Sequence, residues 1–177
     1  MPNPSTQTEK FVSIRTATDD DCRGILECLA LAFAPYQQSY TGEAFLDTVL
    51  TPETVHQRLA HMSVFVAIHG ANRVVGTIGC KALAEGEGHI RGMAVIPEWQ
   101  GSGVSTRLLA KAEAALRKAG CGIVTLDTTE PLNRAVQFYK KNGFRPTGKV
   151  SSFFGMPLFE YRKPIHINLD KGTFTKE

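Results

Sequence analysis

Short segments in which apolar and polar residues alternate, or in which β-branched and aromatic residues cluster, predict the strands of this chain. Residues 64–68, for instance, read Val-Phe-Val-Ala-Ile and are followed by turn residues. The predicted strands cover 11–16, 64–68, 74–84, 89–96, 123–127, 144–151 and 156–163. Gly76 and Gly79, inside the third of them, are typical of a bulge or of close approach by another element.

Helices are predicted where apolar residues recur at steps of three and four. The first begins after Thr18, an N-cap residue followed by three aspartates, and ends at Pro35. The others are predicted over 42–50, 52–60, 104–119 and 131–142, with 35–40 as a loop. Early strands follow one another as hairpins, whereas helices separate later ones. This order predicts an α/β fold with a mixed, mostly antiparallel central sheet of about six to seven strands, flanked by helices.

The composition is typical of one globular domain, since 42% of the 177 residues are hydrophobic. We expect a disordered lead over 1–10, a single domain over 11–165 and a polar tail over 166–177. A formal net charge of +3, with both signs interspersed, argues against a nucleic-acid partner. No apolar run is long enough to span a membrane, and the polar N-terminal residues are unlike a signal peptide.

The cysteines at 22, 28, 80 and 121 lack the spacing of a zinc site, so we interpret them as buried thiols in a reducing compartment. No metal is expected, and the predicted location is cytoplasmic. The histidines at 56, 61, 69 and 166 have no paired acidic or cysteine neighbour and are interpreted as surface or core residues. The sequence leaves the oligomeric state open, a homodimer included.

The stretch 93–109 contains the strongest candidate for a ligand site. An apolar strand stops at Pro97, and a helix begins at Val104 after the loop 100–103, Gln-Gly-Ser-Gly. Glycine allows positive φ and close approach to a ligand, and the first turn of a helix has free N–H groups at its positive end. Such a loop can bind a diphosphate through backbone donors alone. It lacks both the lysine of a Walker loop and the third glycine of a dinucleotide fingerprint.

This loop resembles the Arg/Gln-x-x-Gly-x-Gly/Ala motif of the GCN5-related N-acetyltransferases, which binds the pyrophosphate of acetyl-CoA. Here the motif runs from Gln100 to Ser105, with serine in its last small position. The lead-in, Val-x-Pro-Glu-Trp over 95–99, is also similar to that family's. So is the opening Ile-Arg-x-Ala-x-x-Asp over 14–20, which resembles the family's first strand and helix start.

A second motif lies in the helix predicted over 131–142. It resembles the Asn-x-x-Ala-x-x-x-Tyr-x-x-x-Gly-Phe pattern of the same family, aligned on Ala135 and Tyr139. Leu132 then takes the asparagine position, and Asn133 comes one residue late. Together the two motifs imply the GNAT, or acyl-CoA N-acyltransferase, fold over about residues 12–164.

The resemblance implies acetyl-CoA as co-substrate, no metal, and direct transfer of the acetyl group to a primary amine of a small molecule or a protein. Tyr139 would protonate the departing thiolate. The strand 93–95 would pair with pantetheine and supply a backbone N–H to the thioester oxygen. The residues implied in cofactor binding are Met93, Ala94, Val95, Gln100, Gly101, Ser102, Gly103, Val104, Ser105, Thr106, Asn133 and Tyr139.

The sequence leaves the general base open. Glu87 and His89 open the strand that leads to the loop, and they share a side with Arg91 and Met93 if no bulge intervenes. Either could act directly or through water, although Glu87 in a glycine-rich turn is also typical of a solvated side chain. The rival candidates are Asp127 and Glu130.

The resemblance places the acceptor pocket between the loop after the first helix and the last hairpin. It implicates the aromatic residues Phe33, Tyr36, Tyr40, Phe153 and Phe154. So many aromatics favour a small or partly apolar acceptor, unless they belong to the core. The alternative to an enzyme is a non-catalytic module of the same fold that binds or senses acyl-CoA.

Overall fold

The computed structural model describes residues 11–166 and contains one seven-stranded sheet with helices on both faces. The predicted lead and all but the first residue of the predicted tail lie outside the described residues. No helix among residues 11–166 has both the length and the apolar character needed to cross a membrane. The strands are β1 (Val12–Thr16), β2 (Ser63–His69), β3 (Arg73–Ala82), β4 (Glu87–Val95), β5 (Ile123–Thr129), β6 (Arg145–Phe153) and β7 (Met156–Pro164). The helices are α1 (Cys22–Phe33), α2 (Gly42–Val49), α3 (Pro52–His61), α4 (Val104–Lys118) and α5 (Asn133–Lys141).

The order of strands in the sheet is β1-β2-β3-β4-β5-β7-β6, and every neighbouring pair is antiparallel except β4 with β5. The predicted mixed, mostly antiparallel sheet is therefore confirmed. The parallel pair is short, running from Glu87 opposite Ile123 to Ile90 opposite Leu126. Beyond that point β4 continues along β3 and β5 along β7, so the two strands part and leave a gap.

Helix α4 covers one face of the sheet, against glycines that leave room for it. A Cβ on Gly76 would lie 2.8 Å from Cδ1 of Leu108, and one on Gly88 would lie 2.7 Å from Cδ1 of Leu116. Helices α1 and α3 cover the opposite face, where they pack around Gly79. Gly76 and Gly79 each lie at a shift in strand register, so the predicted bulges and close approach are both present.

The element boundaries follow the predicted ones to within about two residues, apart from the start of α1, where the 3₁₀ turn Asp19–Asp21 precedes the helix. The predicted loop after α1 is instead a 3₁₀ helix, Ala34–Ser39, because Pro35 holds its φ near the helical value. Helix α5 begins only at Asn133, with Leu132 as its N-cap, so Pro131 precedes the first turn rather than lying in it.

Replacing Gly24 by alanine is expected to destabilise the fold, although alanine is the better helix former. Gly24 lies inside α1, and a Cβ there would lie 2.5 Å from Cγ2 of Val74 on β3. Relief of this overlap should cost about 1–3 kcal/mol, which at its midpoint is about twice the ~1 kcal/mol that alanine gains over glycine in a helix. Urea unfolding should therefore report a lower free energy of unfolding for Gly24→Ala.

The matched control is Gly42→Ala, because Gly42 begins α2 and an added Cβ would meet no atom within 4 Å. This variant should have an equal or higher free energy of unfolding, since alanine restricts the unfolded chain. Equal values for the two variants would contradict close packing of α1 on β3.

Candidate active site

A cavity of about 570 Å³ opens where β4 and β5 part. Its walls come from the end of α1 and the 3₁₀ helix after it, from α2 and α3, and from β4 and β5. The glycine loop with the start of α4, the first half of α5, and the hairpin of β6 and β7 complete them. Tyr36 and Gly101 both line it. The predicted acceptor region and the glycine loop therefore share one space.

The glycine loop has the backbone geometry that the sequence predicts. Gly101 and Gly103 have φ of 76° and 86°, in the left-handed region that strains other residues. A Cβ on either glycine would meet no atom within 4 Å, so the backbone borders open space. Gly103 is also the N-cap of α4, and the helix starts at Val104 as predicted.

Backbone N–H groups of this loop are free to bind a ligand. Among residues 11–166, no acceptor takes a hydrogen bond from the N–H of Gly101, Gly103, Val104, Ser105 or Thr106. The dipole of α4 adds partial positive charge at the same place. A set of converging N–H donors at a helix N-terminus is suited to a phosphate, so the loop fits the diphosphate of CoA.

The side chain of Gln100 ties the loop to its surroundings. Its Nε2 donates to the carbonyl of Val95 over 3.1 Å, and Nη1 of Arg134 donates to its Oε1 over 2.8 Å. Gln100 lines the cavity, as expected, but its amide is already engaged within the protein. Arg134, to which the sequence analysis assigns no role, brings a cation to the loop from the start of α5.

Strand β4 contains a bulge at Gly92, where φ is 66° and the register with β3 shifts. The expectation that Glu87 and His89 share a side with Arg91 and Met93 required a strand without a bulge, so the alternation holds only as far as Arg91. Residues 93–95 line the cavity, and β3 pairs with 94 and 95 on their other edge. The edge toward the gap has no strand partner among the described residues, so it fits the amides of an extended pantetheine chain.

Thr128 on β5 offers a further polar contact in the cavity. Its hydroxyl oxygen is buried and has no hydrogen-bond partner among residues 11–166. Buried hydroxyls are usually paired. A ligand amide or carbonyl in the gap would supply the missing partner.

Tyr139 is buried in the cavity wall and directs its hydroxyl from α5 toward β4. The hydroxyl donates to Sδ of Met93 over 3.5 Å, and the ring makes edge contacts with Phe138 and Phe144. Burial raises the pKa of the phenol above its ordinary value, so the group stays protonated through the neutral range. A thioether is a weak acceptor, so this proton donor can be redirected to the sulfur of a ligand.

His89 is held by hydrogen bonds that cross from β4 to β5. The hydroxyl of Thr125 donates to Oε1 of Glu87 over 3.1 Å, and its oxygen lies 3.0 Å from Nδ1 of His89. Because the hydroxyl proton is used on Glu87, Nδ1 is the donor in the second bond. This tautomer leaves a lone pair on Nε2, which lies 3.7 Å from Oδ2 of Asp127.

The surroundings of His89 favour its neutral form. Burial lowers the pKa of the imidazole, although the charge of Asp127 opposes that shift. Burial also raises the pKa of Asp127. Nε2 of His89 and the carboxylate of Asp127 are both hydrogen-bond acceptors, and they face each other over 3.7 Å. An amine placed between them could donate an N–H to each.

Of the three other candidate bases, one shares the cavity with His89 and two do not. Asp127 lines the cavity with His89, whereas Glu87 and Glu130 do not. Glu87 instead accepts the hydrogen bond from Thr125, so its carboxylate helps to set the tautomer of His89 rather than reaching the cavity itself.

Most of the aromatic residues that the sequence implicates in an acceptor pocket line one wall of the cavity. Phe33 makes edge contacts with Tyr36 and Tyr40 at 6.4 Å between ring centroids, and all three line the cavity together with Phe153. The hydroxyl of Tyr40 lies 2.6 Å from Oγ1 of Thr129 on β5, which fixes this wall to the sheet. The remaining aromatic, Phe154, is 47% exposed and lies outside the cavity.

Several predicted cofactor residues border the cavity without lining it. The wall includes Gly101 and Ser105 but not Ser102, Gly103, Val104 or Thr106. The side chain of Val104 is buried, and the hydroxyl of Ser102 donates to the carbonyl of Trp99. With the exception of Ser102, these residues can serve a ligand through their backbone N–H groups.

Asn133 does not reach the cavity. It is the exposed first residue of α5, and its neighbours Leu132 and Arg134 line the wall in its place. The shift by one residue that the sequence already shows turns the asparagine side chain away.

Two further arginines line the cavity that are not among the site residues predicted from the sequence. Arg58 and Arg91 line its acceptor side, and Arg91 forms an ion pair with Asp47. No local pattern marks these side chains, because α2, α3 and β4 bring them together over long sequence separations.

Away from the cavity, Nδ1 of His56 lies 3.6 Å from Sγ of Cys22 and 3.6 Å from Oδ1 of Asp19. The interpretation of this histidine as lacking such neighbours is wrong, because α3 packs beside the start of α1. The cysteines are buried free thiols, as predicted: Cys22, Cys28, Cys80 and Cys121.

Two curated proteins are similar to parts of the chain. The aminoglycoside N(6')-acetyltransferase type 1 of Stenotrophomonas maltophilia is 39% identical over 71 residues, which are 40% of this chain and 46% of that protein. The N-alpha-acetyltransferase MAK3 of Arabidopsis thaliana is 29% identical over 103 residues, which are 55% of this chain and 54% of that protein. The chain thus spans about half the length of the curated relatives it matches.

The fold is that of a solved acetyltransferase. The PaiA N-acetyltransferase of Thermoplasma acidophilum, in complex with coenzyme A, superposes with a TM-score of 0.72 at 20% identity, covering 88% of this chain and 99% of that one. The expected acyl-CoA N-acyltransferase fold is confirmed. The profile of the acetyltransferase (GNAT) family matches residues 25–144, which include the glycine loop and Tyr139. The chain therefore belongs to the GNAT family of acetyltransferases.

Proposed function

We propose that this protein transfers the acetyl group of acetyl-CoA directly to a primary amine of a small molecule or a protein. The observation that carries the proposal is the shared cavity. It brings the glycine loop, the open edge of β4, the hydroxyl of Tyr139 and Nε2 of His89 to one space. The names of the relatives, one an aminoglycoside and one an N-alpha acetyltransferase, are consistent with an amine acceptor of either kind.

Different parts of the cavity would bind different parts of acetyl-CoA. The free N–H groups at the start of α4 would hold the diphosphate, with Arg134 beside them. The open edge of β4 would pair with pantetheine, and a backbone N–H of that edge would stabilise negative charge on the thioester oxygen. The thioester supplies an activated acetyl group, so no covalent intermediate with the protein is needed.

His89 acts as the general base. Its Nε2 accepts one proton from the ammonium group, and Asp127 orients the resulting amine. The nitrogen attacks the thioester carbon, so an N–C bond forms while the C–S bond breaks. Tyr139 gives its proton to the departing sulfur, and the second proton lost by the nitrogen restores the phenol.

An acceptor screen tests this proposal. The protein is incubated with acetyl-CoA and a panel of primary amines, and free thiol is measured with and without each amine. We expect amine-dependent thiol release and a product whose mass is raised by one acetyl group. The alternative, a non-catalytic acyl-CoA module, would bind acetyl-CoA and release no thiol with any acceptor.

Replacing Gly103 by aspartate is expected to weaken acetyl-CoA binding by at least about tenfold, or roughly 1.4 kcal/mol. The substitution places a carboxylate at the start of α4, where the diphosphate is expected, and the open space around Gly103 leaves room for it. Aspartate tolerates positive φ better than most residues, so the fold should be largely kept. Calorimetric titration with acetyl-CoA gives the affinity.

The control is Gly120→Asp at the other end of α4. Gly120 has a φ of 85° and equally open surroundings, so the two variants share the backbone strain and the added charge. Only the Gly103 variant should lose affinity. Unchanged binding in folded Gly103→Asp would overturn the assignment of the loop.

A further inference from the structure

Arg58 brings a positive charge to the cavity, and its guanidinium has no hydrogen-bond or ion-pair partner among the described residues. Gly92 leaves the room for it, since a Cβ on that glycine would overlap Nη1 of Arg58. Burial lowers the pKa of Arg58 to about 10, so the group is still charged at neutral pH.

The neighbouring charges do not neutralise Arg58. The charge of Arg91 disfavours the charged form of Arg58, and the carboxylate of Asp47, which favours it, is already paired with Arg91. Arg58 and Arg91 against Asp47 therefore leave one positive charge at this end of the cavity, while the other carboxylate of the cavity, Asp127, lies beside His89. A partly buried charge without a partner is costly, and an anion is its natural complement.

The position of Arg58 near the end of α3 does not by itself explain this arrangement. A cation in the last turn interacts favourably with the helix dipole, but the exposed His61 lies in the same turn and needs no cavity for that purpose. The guanidinium instead lies close against the bulge of β4 at Gly92, and Arg58 lines the same cavity as His89 and Asp127.

We infer that the acceptor carries a carboxylate as well as its amine, and that Arg58, assisted by Arg91, binds this carboxylate while His89 and Asp127 receive the amine. The inference rests on the proposed function. A guanidinium binds a carboxylate through two parallel hydrogen bonds. The single excess charge matches a monoanionic carboxylate better than a phosphate dianion.

The spacing of the two ends favours an acceptor in which several bonds separate amine and acid. The Cα atoms of His89 and Arg91 are two residues apart on one strand, which corresponds to about 7 Å, and Arg58 meets this strand one residue further on, at Gly92. An ω-amino acid such as 5-aminopentanoate spans a comparable distance when extended. An α-amino acid, with both groups on one carbon, is too short to reach both ends through its α-amine.

Binding of product-like probes tests this inference without turnover. The probes are 3-acetamidopropanoate, 4-acetamidobutanoate and 5-acetamidopentanoate, each beside its primary amide, titrated calorimetrically into protein saturated with CoA. We expect the wild type to bind at least one acid about tenfold or more tightly than its amide. Arg58→Met should abolish this preference, and Arg58→Lys, which keeps the charge but loses the fork, should retain part of it.

The matched control is Arg23→Met, which removes an exposed arginine of α1 that pairs with Glu27, and it should keep the preference. In turnover, Arg58→Met should raise KM for 5-aminopentanoate by about 10- to 100-fold, while kcat and the KM for 5-aminopentanamide change little. If no acid is preferred over its amide by the wild type, or if Arg58→Met keeps the preference, the inference is wrong. Tighter binding of 4-acetamidobutyl phosphate than of the acids would overturn the carboxylate assignment.

The two proposals fail separately. Amine-dependent thiol release without any preference for acids would leave the acetyltransferase standing and remove the carboxylate site. A preference for acids in binding, without thiol release in the presence of any amine, would leave the carboxylate site standing and remove the acetyltransferase activity.

Discussion

Tyr139→Phe is expected to lower kcat by about 10² or more, the usual scale for loss of a general acid, while acetyl-CoA binding changes little. Phenylalanine keeps the ring and its contacts with Phe138 and Phe144, and it removes only the hydroxyl that faces Met93. A loss of turnover with intact binding marks an interaction made mainly in the transition state. Steady-state kinetics with a saturating amine, together with calorimetry for acetyl-CoA, measure the two effects.

Tyr161→Phe is the matched control, because Tyr161 is also buried but lies on β7 outside the cavity. It should leave kcat unchanged. Burial raises the pKa of Tyr139, so its hydroxyl remains a donor up to a pH above the ordinary value of about 10. If Tyr139 is the general acid, activity should therefore fall only at a pH above about 10. A fall in activity at lower alkaline pH must belong to another group. Full turnover in Tyr139→Phe would make this tyrosine a core residue.

His89→Asn is expected to lower kcat/KM by about 10²- to 10⁴-fold, the range for loss of a general base. Asparagine can still donate to Thr125, but it has no basic nitrogen to face Asp127. Because burial lowers the pKa of His89, the imidazole stays neutral until the pH falls below its ordinary value of about 6.5. The wild-type profile of kcat/KM should then decline on the acid side with an apparent pKa below that value, and the variant should lack this limb.

His61→Asn provides the comparison, since His61 is an exposed histidine of α3 whose ring forms a hydrogen bond with the carbonyl of Gln57 and which does not line the cavity. It should show the wild-type rate and the wild-type acid limb. Persistence of that limb in His89→Asn would assign it to another group, with Asp127 as the next candidate.

Features that depend on residues close together in the sequence could be predicted. The strand, glycine loop and helix around Gly103 follow from local periodicity and from glycine at the positions of positive φ. Tyr139 follows from its place in a helix with a recognisable pattern. The sequence also indicates that Asn133 differs from the family's asparagine, because it lies one residue later in the motif.

Features that depend on strand register and helix docking could not be predicted. Nothing in the sequence indicates that Thr125 pairs with His89, because this contact requires the parallel register of β4 and β5. The bulge at Gly92 changes which side chains share a face, and a glycine alone does not specify a bulge. Arg58 approaches the site only because α3 packs on that bulge.

The chain order of the cavity residues has an evolutionary consequence. The bulge, the glycine loop, His89 and Tyr139 lie within 89–139, whereas Arg58 and the aromatic residues from Phe33 to Tyr40 come from the earlier helices. Under the proposed function, a substitution or insertion in the earlier segment can change which amine is chosen and leave the transfer chemistry untouched. Descendants of such a fold can therefore diversify in substrate while they inherit one reaction.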